Sequence, residues 1–139
     1  MNKVLIDTDV IMDFFFDRKP FSEYSTDILN LCAEKQIEGF TTSVIVSNVY
    51  YLLRKTAGHK FVVEKISRLL QIIEVINTGK AVVLMALNSE FKDFEDALQN
   101  YSALEEGSIQ VIITRNIKDF KKSDLAVLTP QVYLKGRLN

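Results

Sequence analysis

Along this chain, short β-branched runs take turns with longer stretches whose apolar residues recur at helical spacing. VLI at 4–6, GFTT at 39–42, EVI at 74–76, QVIIT at 110–114 and LAVLT at 125–129 read as strands. From Ser22 onward, Tyr24, Ile28, Leu31 and Cys32 fall on one helical stripe. TSVIVSNVYYLLRKTAG, residues 42–58, has the marks of a capped helix: Thr42 or Ser43 accepts from the first free backbone N–H groups, and Gly58 closes the far end. Further helices are expected over 60–73, 80–88 and 93–105, the last stopping at Gly107. Strands separated by helices in this way predict an α/β fold with a parallel sheet.

In such a sheet, ligands bind outside the carboxyl ends of the strands, and this sequence puts polar groups there. Asp7 and Asp9 follow the first strand, with Asp13 close behind; Thr114, Arg115, Asn116 and Asp119 follow VIIT. A third source of acids is DFEDALQNYSAL. Its apolar stripe is Phe94, Ala97, Leu98, Tyr101 and Leu104, while Asp93, Asp96 and Asn100 share a neighbouring face. Aspartate is also favoured at helix starts, where it accepts orphan N–H groups. Asp93 and Asp7 therefore each have two readings, as a cap and as a participant in chemistry.

Length and composition narrow the choice. At 139 residues, 47% hydrophobic and 25% charged, with five glycines and two prolines, the chain reads as one globular domain spanning 1–139. The apolar run AVVLMAL at 81–87 is too short to cross a bilayer and the N-terminus lacks a signal-peptide core, so a cytoplasmic protein is expected. A single cysteine, Cys32, sits in the apolar phase and reads as a buried small hydrophobe. With a net charge of −1 no global basic field advertises a polyanion partner, and any such partner needs a local patch or a bound cation.

If the acids converge, electrostatics dictates the consequence. Two carboxylates about 4 Å apart repel by roughly 4 kcal/mol at an effective dielectric of 20. A cluster of three calls for protons or a divalent ion. With one histidine, His59 in a surface turn, and one cysteine, the oxygen-rich donor set points to Mg²⁺ or Mn²⁺ and away from zinc. Such an ion activates water and neutralises phosphate, chemistry suited to phosphodiester hydrolysis.

LIDTDVIMDFF, TTSVIVSNVYYLLRK, DFEDALQNYSA and VIITRNIKDF, in this order, resemble the PIN domain family, the fold of the VapC-type toxins of bacterial toxin–antitoxin pairs. The resemblance covers essentially the whole chain, and the series DFEDAL followed by IITRNIKDF is its most specific part. It implies a single three-layer α/β/α domain with a central parallel sheet and a ribonuclease dependent on Mg²⁺ or Mn²⁺. By the same resemblance Asp7, Asp96 and Asp119 bind the metal, with Asn116 the alternative to Asp119. Thr114 orients water or a carboxylate, and Arg115 either contacts phosphate or is a solvated loop residue. The partners implied are RNA, a protein antitoxin and a second copy of the chain in a homodimer. Lys118, Lys121 and Lys122 are either RNA contacts or a solvated loop, and YYLLRK either a contact surface or a core stripe.

One position departs from the family pattern: TSVIVSN puts Asn48 where a helix-borne Glu is usual. Asn48 is one turn from Val44 and Leu52, so it is expected to face inward, where an unbonded amide would cost about 1–3 kcal/mol. It then serves the site as a neutral ligand or a supporting partner. Asn48 and Asn116 together leave a competing expectation, a non-catalytic module that binds RNA or protein. A third, a haloacid-dehalogenase-type phosphatase using Asp7 and Asp9, is disfavoured because so short a chain leaves little room for a cap.

Overall fold

The computed structural model describes residues 2–137; Met1, Leu138 and Asn139, the ends of the expected domain, lie outside the described residues. Five strands form one sheet: β1 (Asn2–Ile6), β2 (Ile37–Thr42), β3 (Ile73–Ile76), β4 (Val111–Ile113) and β5 (Ala126–Leu128). All pairings are parallel, and the spatial order is β3-β2-β1-β4-β5. The chain first builds outward from β1 to β2 and β3, then crosses to the other side for β4 and β5. The reversal falls between β1 and β4, where Leu5 lies opposite Ile112 and Ile6 opposite Ile113.

Alternation within the strands sorts the core into two layers, because successive strand side chains point to opposite faces. Val4, Ile6, Ile37 and Ile113 belong to one buried cluster; Leu5, Phe40 and Ile112 belong to another. The first cluster is covered by α1 (Thr8–Phe15), α2 (Phe21–Ala33), α3 (Ser43–Arg54), α4 (His59–Leu69) and α7 (Pro130–Arg137). Over the other face lie α6 (Phe94–Glu106) and a 3₁₀ turn at Ile117–Phe120, with α5 (Lys80–Leu87) packed against α6. This is the three-layer α/β/α arrangement expected. Cys32 is buried as a small core residue, and among the described residues no helix is long and apolar enough to cross a membrane.

Several boundaries differ from the sequence reading for local reasons. Helix α3 ends at Arg54 because the N–H groups of Thr56 and Ala57 both turn back to the Leu53 carbonyl. Gly58 does not close α3; it is the extended residue that opens α4. α4 stops at Leu69, where a tight turn leads into β3. Two helices had no separate sequence signal. α1 begins immediately at the end of β1, and α7 is short and only weakly apolar. Gly107 does end α6, at φ 89, the left-handed conformation that glycine adopts without a Cβ clash.

Close approach of α2 to the sheet depends on Gly39. A Cβ there would lie 2.7 Å from the Cys32 sulfur and 2.8 Å from Cγ2 of Ile73, distances no relaxed side chain tolerates. We expect Gly39→Ala to lower stability by about 1–3 kcal/mol in urea unfolding, the usual result of overpacking. Adding Cys32→Ala, which vacates the nearer of the two clashing atoms, should recover part of the loss.

Candidate active site

The reversal of strand order opens a cleft of about 550 Å³ beyond the carboxyl ends of β1 and β4. Its acids come from three parts of the chain: Asp7 and Asp9 at the start of α1, Asp93, Glu95 and Asp96 at the start of α6, and Asp119 in the 3₁₀ turn. Asn48, on α3, and Asn116 also line it. Of Asp7, Asn48, Asp96, Thr114, Asn116 and Asp119, the residues expected to form the site, Thr114 alone is not on the wall; it is fully buried and reaches the site through its bond to Asp7.

Asp7 holds its place through both carboxylate oxygens. Oδ1 accepts the Thr8 N–H at 2.8 Å and Oδ2 accepts the Thr114 hydroxyl at 2.9 Å, while the Asp7 N–H donates to the Ile113 carbonyl at 3.0 Å. The Thr114 oxygen in turn accepts the Asn116 N–H at 3.0 Å. The capping and chemical readings of Asp7 are thus compatible: it opens α1 and still lines the cleft. Asp93 is a helix cap as well, accepting the Asp96 N–H at 3.0 Å.

Burial and mutual repulsion raise the proton affinity of Asp7, Asp9 and Asp96. Asp7 is pushed up to about 6, first by burial and then by Asp9. Asp96 is pushed up to about 7, by burial and then by Asp7, Asp93, Asp119 and Glu95. Asp9 is also raised, chiefly by burial, against the pull of the Arg115 N–H that donates to it at 3.0 Å. Among the described residues no three acidic, histidine or cysteine side chains are gathered tightly enough to form a finished cation cage. The donor set is nevertheless rich in carboxylate oxygen, and Asp7, Asp9 and Asp96 bind protons more tightly than free carboxylates do. Such a set fits a hard divalent cation that takes its remaining oxygens from water or from a phosphate.

Three expectations need correction. Arg115 is neither a phosphate contact nor a solvated loop residue. Its Nε and Nη2 grip the fully buried Asp13 at 2.6 and 2.9 Å, and its guanidinium stacks over the Phe21 ring at 3.9 Å. Asn48 does not point in among apolar neighbours. It is half-buried at the cleft, where its amide donates to Oε2 of Glu95 at 3.0 Å. On α6, Phe94 is exposed while Gln99, Asn100 and Ser102 are buried, so the inward face is more polar than the expected stripe. Gln99 accepts the Thr42 hydroxyl at 2.8 Å, and Asn100 accepts from Ser123 at 2.5 Å.

The sequence reading passed over Glu95, Arg18 and Lys55, all of which line the cleft. Glu95 was hidden because it precedes a more conspicuous Asp-Ala pair, and Arg18 because it follows α1 in a loop. Lys118, Lys121 and Lys122 are exposed but lie outside the cleft wall, Lys122 reaching Glu90 at 3.4 Å. Asp119 is exposed and accepts a short hydrogen bond from the Asn116 amide, so positions 116 and 119 act as a pair.

A family model described as PIN domain matches residues 3–118. The chain belongs to the PIN domain family. It is 34% identical over 136 residues to Ribonuclease VapC1 of Aquifex aeolicus (strain VF5), covering 94% of this chain and 92% of the relative. Among solved structures, VapBC2 from Rickettsia felis, bound to a DNA fragment from its promoter, superposes with a TM-score of 0.68 at 18% identity, over 91% of this chain and 96% of that one. A toxin–antitoxin complex from Klebsiella pneumoniae gives 0.67 at 21% identity, over 91% and 97%. These two likenesses bear on the fold of this PIN domain.

Three outcomes follow from the electrostatics of this PIN domain. Asp7 and Asp96 bind a proton more tightly folded than unfolded, so the metal-free protein should lose stability as pH rises from about 4 through 7. Asp96→Asn should flatten that slope and raise the thermal midpoint at pH 7.5 by about 2–5 °C in calorimetry. Asp13→Asn, which dismantles a buried ion pair, should instead cost about 3 kcal/mol in urea unfolding.

Proposed function

We propose that this PIN domain is a Mg²⁺- or Mn²⁺-dependent endoribonuclease, the toxin of a toxin–antitoxin pair. The observation that carries the reading is the meeting of Asp7, Asp96 and Asp119, from three distant segments, in one cleft where their charges oppose each other. Kinship with Ribonuclease VapC1 supports the choice of RNA as substrate. Folded proteins rarely keep such repulsion without use for it.

In this reading Asp7, Asp96 and Asp119 hold the cation, with Glu95 as an additional carboxylate at the rim. A bound Mg²⁺ or Mn²⁺ supplies charge for the phosphate oxygens and acidifies a coordinated water. The chain's own contribution is positional. Thr114 fixes the Asp7 carboxylate through Oδ2, Asn116 fixes Asp119, and Asn48 fixes Glu95. Arg18 and Lys55, on the wall of the same cleft, are the cations placed to receive flanking phosphates, in place of the lysines after β4.

For a protein partner, the suited surface is a second cleft lined by Phe14, Phe16 and Phe61, with Lys65 and Arg68 at its edge. Its aromatic and basic lining matches an amphipathic, acidic antitoxin segment. The competing reading, a non-catalytic binding module, is favoured by the lack of a finished cage among the described residues.

Cleavage assays separate the two. Structured RNA should be cut with Mn²⁺ and not with EDTA, and Asp7→Asn or Asp96→Asn should lower the rate by at least about a hundredfold; equal behaviour of wild type and both variants would establish the binding module. Calorimetric titration of Mn²⁺ should further show Glu95→Gln binding about tenfold more weakly, as expected on losing an outer support of a metal site.

A further inference from the structure

One wall of the cleft has an aromatic that the proposed chemistry does not use. Tyr51 lies on the outward face of α3 and lines the same cleft as Asp7 and Asp96. At 67% exposure it is the most solvent-open large hydrophobic among the described residues. An aromatic ring left in water beside an acidic cleft gains nothing from burial, so its position asks for another reason.

The ring is also braced. Tyr50 meets Tyr51 edge-on, with centroids 5.0 Å apart and planes at 89°. Tyr50 is itself held by His59, its hydroxyl 2.8 Å from Nδ1 and the two rings in contact at 5.8 Å. The first residue of α4 therefore steadies a ring on α3 through one intermediate. Lys55 is one helical turn beyond Tyr51, so the two side chains share a face of α3 and both reach the cleft wall. Arg18, partly neutralised by Asp13 at 3.5 Å, lines the same cleft.

We propose that Tyr51 is a stacking platform for an unpaired base of the RNA, with Lys55 contacting the phosphate next to that base. Single-stranded nucleic acid is bound by this combination, an aromatic face for the base and cations for the backbone. A base in a continuous duplex presents no free face, so the platform selects RNA whose target phosphate adjoins a loop, bulge or unpaired end. Arg18 then serves another flanking phosphate. The inference rests on the ribonuclease reading and specifies its substrate: local single-strandedness beside the cut.

Binding measured without turnover tests this directly. With EDTA present, fluorescence anisotropy of a labelled 12-nucleotide single-stranded RNA is expected to give about tenfold weaker binding for Tyr51→Ala and wild-type binding for Tyr51→Phe. Lys55→Ala should weaken binding and reduce the salt dependence by about one phosphate contact. A duplex of the same sequence should bind Tyr51→Ala and wild type alike. Because Tyr51 is exposed, Tyr51→Ala keeps the fold, which an unchanged thermal midpoint and unchanged Mn²⁺ titration would verify. Equal single-strand affinity for Tyr51→Ala and wild type overturns the platform while leaving the nuclease reading intact. Failure of the wild type to bind any RNA, with EDTA and with Mn²⁺ alike, overturns both, and preference for the DNA version of the oligonucleotide overturns the assignment to RNA.

Discussion

Two consecutive residues, Thr114 and Arg115, hold the opening of the chain to its far end. The Thr114 hydroxyl donates to Asp7, the Arg115 backbone N–H donates to Asp9, and the Arg115 side chain grips Asp13. Each acid of the opening stretch thus has a bond to this dipeptide, and each bond has a different function. The first aims a carboxylate, the second keeps a neighbouring acid from competing for the same space, and the third neutralises a charge that burial alone would forbid. Phe21, under the guanidinium, fixes the angle of approach. Without this junction β1 and β4 would still pair, but the residues beyond them would have no reason to face one another.

The junction also divides the acids by purpose. Asp13 is buried and balanced by two arginines, so its charge is spent on structure. Among the described residues no cation pairs with Asp7 or Asp96, and both are raised toward neutrality. A fold that can pair a fully buried aspartate with a bidentate arginine could have done the same for the others. That it leaves them opposed is the feature through which stability and chemistry pull in different directions. Asn48 and Asn116 moderate the conflict, each giving an amide to a carboxylate where another acid would add repulsion.

Much of this was legible in the residues. Strand positions followed from β-branched runs, and the site's location followed from the rule that parallel sheets bind ligands at their carboxyl ends. Asp7, Asp96 and Asp119 were identifiable because each follows or opens an element at that edge. What escaped notice was information carried by pairs. Nothing in the sequence joins Arg115 to Asp13, since their contact depends on α1 turning back over the loop after β4. Asn48 read as inward-facing because one-turn neighbours Val44 and Leu52 are apolar, yet both are themselves only half-buried and Glu95 approaches from another helix. The buried face of α6 misled for a similar reason: Gln99 and Asn100 are polar by type and apolar by location, each satisfied by a partner far along the chain. α7 was missed because Pro130 and a weakly apolar octapeptide give little periodicity, although Tyr133 anchors it in the core.

The central strand has one neighbour close in sequence and one very distant: the hydrogen bond that seats Asp7 spans 107 positions. During synthesis β1 can associate early with β2, but β4 is made only after β3 and six of the helices. A nascent chain that has acquired most of its helices still lacks the threonine that orients its first acid. The cleft is therefore incomplete until β4 and the two residues after it are in place.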